Sequence, residues 1–341
     1  MSITVVPLNE ADPVGVRELL VRSWRCDWSE ELAADYLAWR YGARGSGETL
    51  LACDGRRCVG ILDSFIRPYW IAGRREIVRE TCDWFCLPEY RVFGVGLHLM
   101  RRMMARPEPL LSIGGTEFTL DLLPRLKWTQ LPSVDNFVLP VSTRAVAALV
   151  ASRLLRRRVA TVYGVPDIRL VRKLPRQPPP AANAEVRART PGDQNEIPNG
   201  APYALAPWLD TAVLDWLAHA PALLGEFVLL NFFCDGEHVG VSISRLEKRH
   251  WGCKARIVHL HATRFDVIAW MVSETVHHLL ERSAGAVLCR ASCPTTGSAL
   301  SKLGFVRGPP IPAYWWPSSK QPPAGLFHLT SLQADNALQF G

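Results

Sequence analysis

Apolar positions alternate along some stretches of the chain and follow a helical period along others, and the two patterns succeed each other in a regular order. Residues 3–8 (Ile-Thr-Val-Val-Pro-Leu) predict a first strand. Asp12, followed by Pro13, has the chemistry of a helix start, and the helix runs to about Trp24. Glu30 to Tyr41 predicts a second helix, ending near Gly42. Thr49 to Cys53 and Cys58 to Phe65 flank Asp54-Gly55 and predict a hairpin, which Arg67 to Ile71 extends. Glu76 to Cys86 is rich in Ile, Val, Thr, Trp and Phe, as strands are. Pro88 stops it. From Gly94 to Ala105 the period becomes helical, with Leu99, Met100, Met103 and Met104 on one face and Arg101, Arg102 and Arg106 mostly on the other. A strand at Leu110 to Ile113, a Gly114-Gly115 turn, a helix at Glu117 to Leu126 interrupted by Pro124, and a strand at Asn136 to Val141 complete the first half.

Thr143 to Arg158 predicts a helix with a basic end at Arg153 and Arg156 to Arg158. Positive charge suits a solvated helix C-terminus, and contact with an anionic membrane face is the alternative. Pro175 to Ala182 reads as a linker. Beyond it the order returns in looser form. A strand lies near Glu185 to Ala188 and a helix spans Thr211 to His219. Phe227 to Cys234 and Val239 to Ser244 form a hairpin around Asp235-Gly236. A strand follows at Ala255 to Ala262, a long helix at Val267 to Arg282, a strand at Ala286 to Ala291 and a helix at Gly297 to Leu303. This order of elements points to an internal duplication without visible sequence identity.

Composition narrows the classes. A length of 341 residues with 48% apolar content suits two α/β units. The net charge of +7 is spread as scattered arginine, with no zinc-finger or RNP signature, so no nucleic-acid partner is expected. Nine cysteines form no regular framework, which fits reduced thiols and a cytoplasmic protein. No secretory signal or membrane-spanning window is visible.

Chemistry concentrates in Glu80-Thr-Cys-Asp-Trp-Phe-Cys-Leu-Pro-Glu-Tyr-Arg-Val-Phe-Gly-Val-Gly-Leu-His-Leu-Met. A strand passes through a Pro-containing turn into Arg91-x-x-Gly94-x-Gly96, which opens a helix. Glycines there let a ligand approach backbone, and the first free N–H groups of the helix favour an anion such as pyrophosphate. Arg91 adds a charge-assisted donor. The run lacks the third glycine of a dinucleotide fingerprint and the Lys-Ser/Thr of a Walker A loop.

This stretch resembles the GNAT (general N-acetyltransferase) superfamily, whose Gln/Arg-x-x-Gly-x-Gly/Ala signature matches Arg91-Val-Phe-Gly94-Val-Gly96. The order of elements over residues 3–141 fits as well. The resemblance implies two GNAT-like units, each a mixed sheet flanked by helices. Residues 1–150 would bind acyl-CoA, 151–182 would be a basic helix and linker, 183–320 a degenerate second unit without the motif, and 321–341 a C-terminal tail. It implies that the amides of Val92, Phe93, Gly94, Val95, Gly96 and Leu97, beside Arg91, hold the coenzyme A pyrophosphate. Backbone near Phe85, Cys86 and Leu87 would pair with pantetheine, and an amide near Phe85 or Cys86 would face the oxyanion. Glu80, eleven residues before Arg91, resembles the general-base glutamate of histone-acetyltransferase-like members. An ion pair with Arg74, Arg75 or Arg79 explains it equally well. Asp83 is the second carboxylate candidate, although on a regular strand it points away from Glu80 unless a bulge intervenes. The tyrosine that many relatives use to protonate the leaving thiolate is missing from Leu120 to Trp128.

The implied activity is transfer of an acyl group, acetyl by preference, from acyl-CoA to an amine of a small molecule or sugar precursor. A long-chain acyltransferase drawing on acyl-CoA or acyl carrier protein, and a non-catalytic CoA-binding regulatory module, are the alternatives. No metal is expected: Cys289, Cys293, His277 and His278 lack ligand spacing, and His259 and His261 read as satisfied core histidines. Cys82 and Cys86 read as buried apolar residues.

Overall fold

The computed structural model describes residues 2–24, 29–41, 49–154, 164–171, 174–190, 193, 197, 202–249, 251–317 and 322–333. The basic end predicted at 156–158 lies outside them. In chain order the first half runs β1 (Ile3–Pro7), α1 (Pro13–Glu18), α2 (Glu30–Arg40), β2 (Leu50–Asp54), β3 (Arg57–Ile71), β4 (Arg74–Cys86), α3 (Pro88–Arg91), α4 (Val95–Met104), β5 (Leu110–Ile113), α5 (Glu117–Arg125) and β6 (Thr129–Pro140). The helix α6 (Thr143–Leu154) and the strand β7 (Ala184–Ala188) lead into β8 (Leu205–Pro207), α7 (Thr211–Ala218), β9 (Glu226–Cys234), β10 (Glu237–Arg249), β11 (Gly252–Ala262), α8 (Ile268–Glu281), β12 (Ala284–Ala291), α9 (Pro294–Lys302) and β13 (Val306–Trp316).

Local chemistry sets several boundaries. Asp12 accepts a hydrogen bond from the Val14 N–H at 3.0 Å and Ser29 from that of Leu32 at 3.1 Å, capping α1 and α2. The predicted helix to Trp24 is α1 continued by a wider π-helical turn at Leu19–Trp24. Pro124 sits in the last turn of α5. β6 begins at Thr129, seven residues before the predicted start, because Pro132 and the polar Gln130, Ser133 and Asp135 hide its strand character.

Among the described residues thirteen strands join one mixed sheet. Twelve follow the order β1-β2-β3-β4-β5-β13-β6-β12-β11-β10-β9-β7, and β8 pairs with β3. The order is palindromic. Replacing β1, β2, β3, β4, β5 and β6 by β7, β9, β10, β11, β12 and β13 maps it onto itself. The last strand of each half is exchanged, so that β13 lies between β5 and β6, and β6 lies between β13 and β12. Helices flank this sheet. Val95, Leu99, Met100 and Met103 of α4 are buried with Leu51, Ile61 and Leu62 of β2 and β3. In the later half Val272, Val276 and Leu279 of α8 pack with Ile257, Val287 and Leu300.

Residues 327–333 depart from the expected tail. Phe327 through Gln333 are all buried. Phe327 and Leu329 join Tyr69, Val78 and Leu111 in one core, and Leu332 joins Phe65 and Cys82 in another.

Candidate functional site

The strands β4 and β5 are parallel but pair at only two positions, Arg79 with Leu110 and Glu80 with Leu111. Beyond Glu80 they part. β4 continues to Cys86 along β3, and a gap opens on its other side. At the end of the gap Pro88 begins α3, and the chain turns into α4 through Gly94, whose φ of 69° is a left-handed conformation that glycine adopts without a steric cost. The first bond of α4 runs from the His98 N–H to the Gly94 carbonyl at 2.9 Å. The N–H groups of Val95, Gly96 and Leu97 therefore have no acceptor within the helix.

The surroundings of this turn decide which predicted groups are available. Arg91, Val92 and Phe93 are exposed, the latter two 83% and 62%. The Phe93 and Gly94 amides close the turn onto Tyr90 and Arg91 carbonyls at 3.3 and 3.0 Å. Burial raises the Cys86 thiol pKa, opposed by the Arg91 charge and by a hydrogen bond from the Gly96 amide, so that amide faces the protein's own sulfur. The Trp84 indole donates to the Gly96 carbonyl at 3.1 Å and pins α4 to β4. Arg91 Nε donates to the Cys86 carbonyl at 3.2 Å. Leu87 is committed on both sides: its N–H donates to Val59 at 2.9 Å and its carbonyl accepts from Tyr90 at 3.0 Å. This removes Leu87 from the expected pantetheine partners, Phe85 pairs with Ile61 of β3, and the gap edge of β4 is left at Trp84 and the Cys86 N–H.

Glu80 lies at the mouth of the gap and is 1% exposed. Its partner is none of Arg74, Arg75 and Arg79. Arg67 Nε lies 3.1 Å from Oε2, and the Tyr69 hydroxyl donates to Oε1 at 2.5 Å. Both come from β3, where Phe65 stands opposite Glu80, so Arg67 and Tyr69 follow on the same face. Burial raises the Glu80 pKa; Arg67, Tyr69 and Arg40 oppose that shift. Arg79 faces away, donating to Ser64 at 3.0 Å and to Glu108 at 3.1 Å.

Asp83 sits in a β-bulge. Ile61 pairs with Phe85 and Asp63 with Cys82, so Asp83 and Trp84 oppose the single residue Leu62, and Asp83 takes a φ of 49°. The bulge turns its carboxylate into a buried polar group with Arg40 of α2 at 3.3 Å and the Tyr41 hydroxyl at 2.8 Å. Asp63 lies beside it, accepting from Thr49 at 2.5 Å and from the Cys82 thiol at 3.4 Å. Burial pushes the Asp63 pKa up to about 7, against the pull of Arg40. Arg40 spans this group and the Phe65 ring, 4.1 Å from its centroid. Asp63, Cys82 and Asp83 have ligand atoms within 4.8 Å of one another, but Arg40, Tyr41 and Thr49 already occupy their oxygens.

The second half has no counterpart to Gly94. Helix α8 starts after Val267, which offers no side-chain cap. Strands β11 and β12 pair from Cys253 to Ile257 and then part. Thr330 bridges Ala291 of β12, and its hydroxyl meets His259 Nδ1 of β11 at 2.9 Å. Leu329 and Ser292 exchange bonds of 2.9 and 2.8 Å. His259 and His261, expected to be satisfied, leave three of their four ring nitrogens without a protein partner.

Solved structures share this architecture. A GCN5-related N-acetyltransferase from Anabaena variabilis ATCC 29413 aligns over 92% of this chain and 72% of its own, with a TM-score of 0.58 and 11% identity. A conserved protein of unknown function from Enterococcus faecalis V583 aligns over the same shares, with a TM-score of 0.55 and 10% identity. A GCN5-related N-acetyltransferase from Kribbella flavida covers 92% and 71%, with a TM-score of 0.50 and 14% identity. The chain has the GNAT fold. No protein-family model and no curated protein matches the sequence. Among the described residues no helix is long and apolar enough to cross a membrane.

Proposed function

We propose that the chain is an acyltransferase that moves an acyl group, acetyl by preference, from acyl-CoA to an amine of a small molecule. The observation that carries this reading is the gap between β4 and β5 ending on the Gly94 turn of α4. A parallel pair that separates after two positions exposes backbone polar groups that a protein interior has to satisfy. An extended amide chain such as pantetheine satisfies them, and the helix start beyond it suits a pyrophosphate. The Val95 and Leu97 amides and the exposed Arg91 would hold the phosphates. Trp84 and Cys86 would present backbone to pantetheine. When bound, acyl-CoA supplies an acyl group activated as a thioester.

The rest of the chemistry belongs to this chain. An ammonium group cannot attack, so a proton has to be removed from the acceptor. Glu80 would receive it, with Tyr69 fixing the carboxylate and Arg67 keeping it ionised. Asp83 serves a different end, holding α2 to β4 through Arg40 and Tyr41. The hydroxyl missing from α5 would come from Tyr314 of β13, which stands opposite Ser112 of β5 and reaches the Leu120 carbonyl at 3.5 Å. We read the palindromic sheet as two GNAT-like units, one within 1–150 and one within 183–320, joined through the exchanged β6 and β13. The second unit is a support for the first, because Thr330 and its neighbours fill its gap. A cytoplasmic location among small metabolites fits this reading.

The burial of Glu80 in an ion pair favours one second reading, a CoA-binding module without turnover. Thermal-shift measurements with acetyl-CoA, longer acyl-CoAs and unrelated nucleotides test binding, since a native-state ligand raises the melting temperature by mass action. Thiol release with a panel of amines tests chemistry. Stabilisation by acyl-CoA with amine-dependent thiol release supports transfer. Stabilisation without release supports the module. No stabilisation by any CoA ester refutes both.

A further inference from the structure

Three histidines converge on one buried point in the second half. His259 and His261 are two residues apart on β11, so both rings leave the same face. His328 arrives from the segment after β13, held by its own N–H to the Leu205 carbonyl at 2.7 Å. The ring centroids are 5.1 Å apart for His259 and His328, 5.5 Å for His261 and His328, and 6.1 Å for His259 and His261. One nitrogen from each lies within 4.8 Å of the other two. All three residues are at most 1% exposed.

Their hydrogen bonding is incomplete. His259 Nδ1 meets the Thr330 hydroxyl, and this leaves Nε2 without a protein partner. Both nitrogens of His261 are without one, and His328 has only a contact with the Leu260 carbonyl. An unmet polar atom in a dry interior is costly, and a cluster of them calls for a partner. Burial lowers the pKa of all three rings, and neighbouring imidazoles add to the shift of His259 and His328.

We propose that His259, His261 and His328 bind a divalent first-row transition metal ion, zinc foremost. Three neutral imidazoles are a donor set that suits zinc. Tetrahedral zinc, with bonds of about 2.0–2.1 Å, sets its nitrogens about 3.4 Å apart. The rings need only draw inward from their present spacing. The bond from His259 Nδ1 to Thr330 fixes that ring and directs Nε2 to the ion, as outer-shell partners of metal-bound histidine do. Tyr203 stacks on His328 at 4.3 Å and closes one side. Arg67 carries a positive charge near His259 and is itself paired with Glu80. The ion would clip residues 327–330 to β11, beside the face of β3 that carries Arg67 and Tyr69. The proposal does not rest on the acyltransferase reading.

The test is metal analysis of the full, untagged chain purified without chelator, followed by stripping with EDTA and titration with Zn²⁺ or Co²⁺ alone. About one equivalent of zinc per chain is expected, with a rise in melting temperature on re-addition to the stripped protein. Co²⁺ should give the intense visible absorption of a tetrahedral site. His261→Gln and His328→Gln should each lower metal affinity at least about 10-fold. A folded, stripped protein whose melting ignores both ions and whose cobalt form shows no such band overturns the proposal. So does His328→Gln binding zinc as tightly as the parent. Should a variant not fold, the cobalt spectrum of the parent alone decides.

Discussion

Trp39 and Trp216 exchange hydrogen bonds. Each indole N–H donates to the other residue's backbone carbonyl at 2.9 Å, and the rings stack with centroids 4.6 Å apart and planes 6° from parallel. Trp39 lies in α2 and Trp216 in α7. The pair therefore repeats, at the level of two side chains, the reciprocity of the sheet order, in which β6 and β13 change places. Neither half completes its own core here: Trp216 packs with Phe65 of β3 as well as with Leu214 and Leu217.

Trp39→Phe removes one donor and leaves the Trp216 carbonyl with only the longer bond from the His219 N–H at 3.3 Å, so it should cost about 0.5–1.5 kcal/mol. Trp216→Phe should cost a similar amount. The double variant should depart from the sum by more than about 0.5 kcal/mol, because the two bonds share one geometry. Urea unfolding of the four proteins measures this. Strict additivity would mean that the two bonds act separately.

Glu80 is expected to be the proton acceptor, and its environment makes a sharp pH test. Burial raises its pKa, so the rate should climb with pH as the carboxylate ionises. Glu80→Gln keeps an acceptor for Tyr69 but should lower kcat/KM by about 10² to 10⁴ and abolish that limb of the profile. The same change leaves Arg67 charged and unpaired, at a stability cost of about 3–5 kcal/mol. Adding Arg67→Met should restore much of the stability and none of the activity. A variant with the parent's pH profile would show that Glu80 is only half of a structural ion pair.

How much of this was legible in the sequence follows from how local each feature is. Arg91, Gly94 and Gly96 lie within one turn, and their spacing alone indicated where a helix starts. The pairing of Glu80 was not legible, because the nearest arginines in sequence point elsewhere. Arg67 and Tyr69 reach it only through the β3–β4 register, which sets Phe65 opposite Glu80. The bulge at Asp83 likewise depends on where that register slips. The paired histidines at 259 and 261 were visible, but their third member is 67 residues further on, in a stretch read as a tail. The exchange of β13 into the first half is a long-range event with no local signature. Tyr314 meets α5 only through the same exchange, which no local pattern announces.

Asp63 should give the chain a measurable pH dependence of stability. Its pKa is raised to about 7 in the native state. The native state thus holds a proton that the unfolded chain releases near pH 4, and the contribution of Asp63 to stability falls as pH rises between those values, then levels off. Asp63→Asn keeps the acceptor for Thr49 and cannot ionise. It should match the parent near pH 4 and exceed it at pH 8 by up to about 4 kcal/mol. Chemical denaturation at both pH values checks this. A parent that gains on Asp63→Asn as pH rises would reverse the assignment.

The two glycines of the turn should separate folding from binding. A Cβ at Gly94 would meet nothing within 4 Å, so Gly94→Ala suffers only the left-handed backbone, about 1–2 kcal/mol. At Gly96 a Cβ would touch the Trp84 indole at 3.4 Å, an ordinary contact. Gly96→Leu should therefore fold, while its larger side chain crowds the helix start and weakens acetyl-CoA binding at least about 10-fold. Calorimetric titration reads the affinity and thermal melting the stability. Unchanged affinity in Gly96→Leu would move the coenzyme away from this turn.

Tyr314 carries the last expectation, because it enters from the far end of the chain. It is 5% exposed on β13, opposite Ser112, with its hydroxyl directed at the Leu120 carbonyl. A bond of 3.5 Å is weak, so the hydroxyl is held without being consumed. If it protonates the departing thiolate, Tyr314→Phe should lower kcat toward the small end of the general-acid range, about 10²-fold, since a thiol of pKa near 8.5 also leaves unaided. The loss should appear in kcat and leave acetyl-CoA affinity intact, which a packing defect would not do. Equal kcat in Tyr314→Phe and the parent from about pH 6 to pH 9 would assign the proton to water.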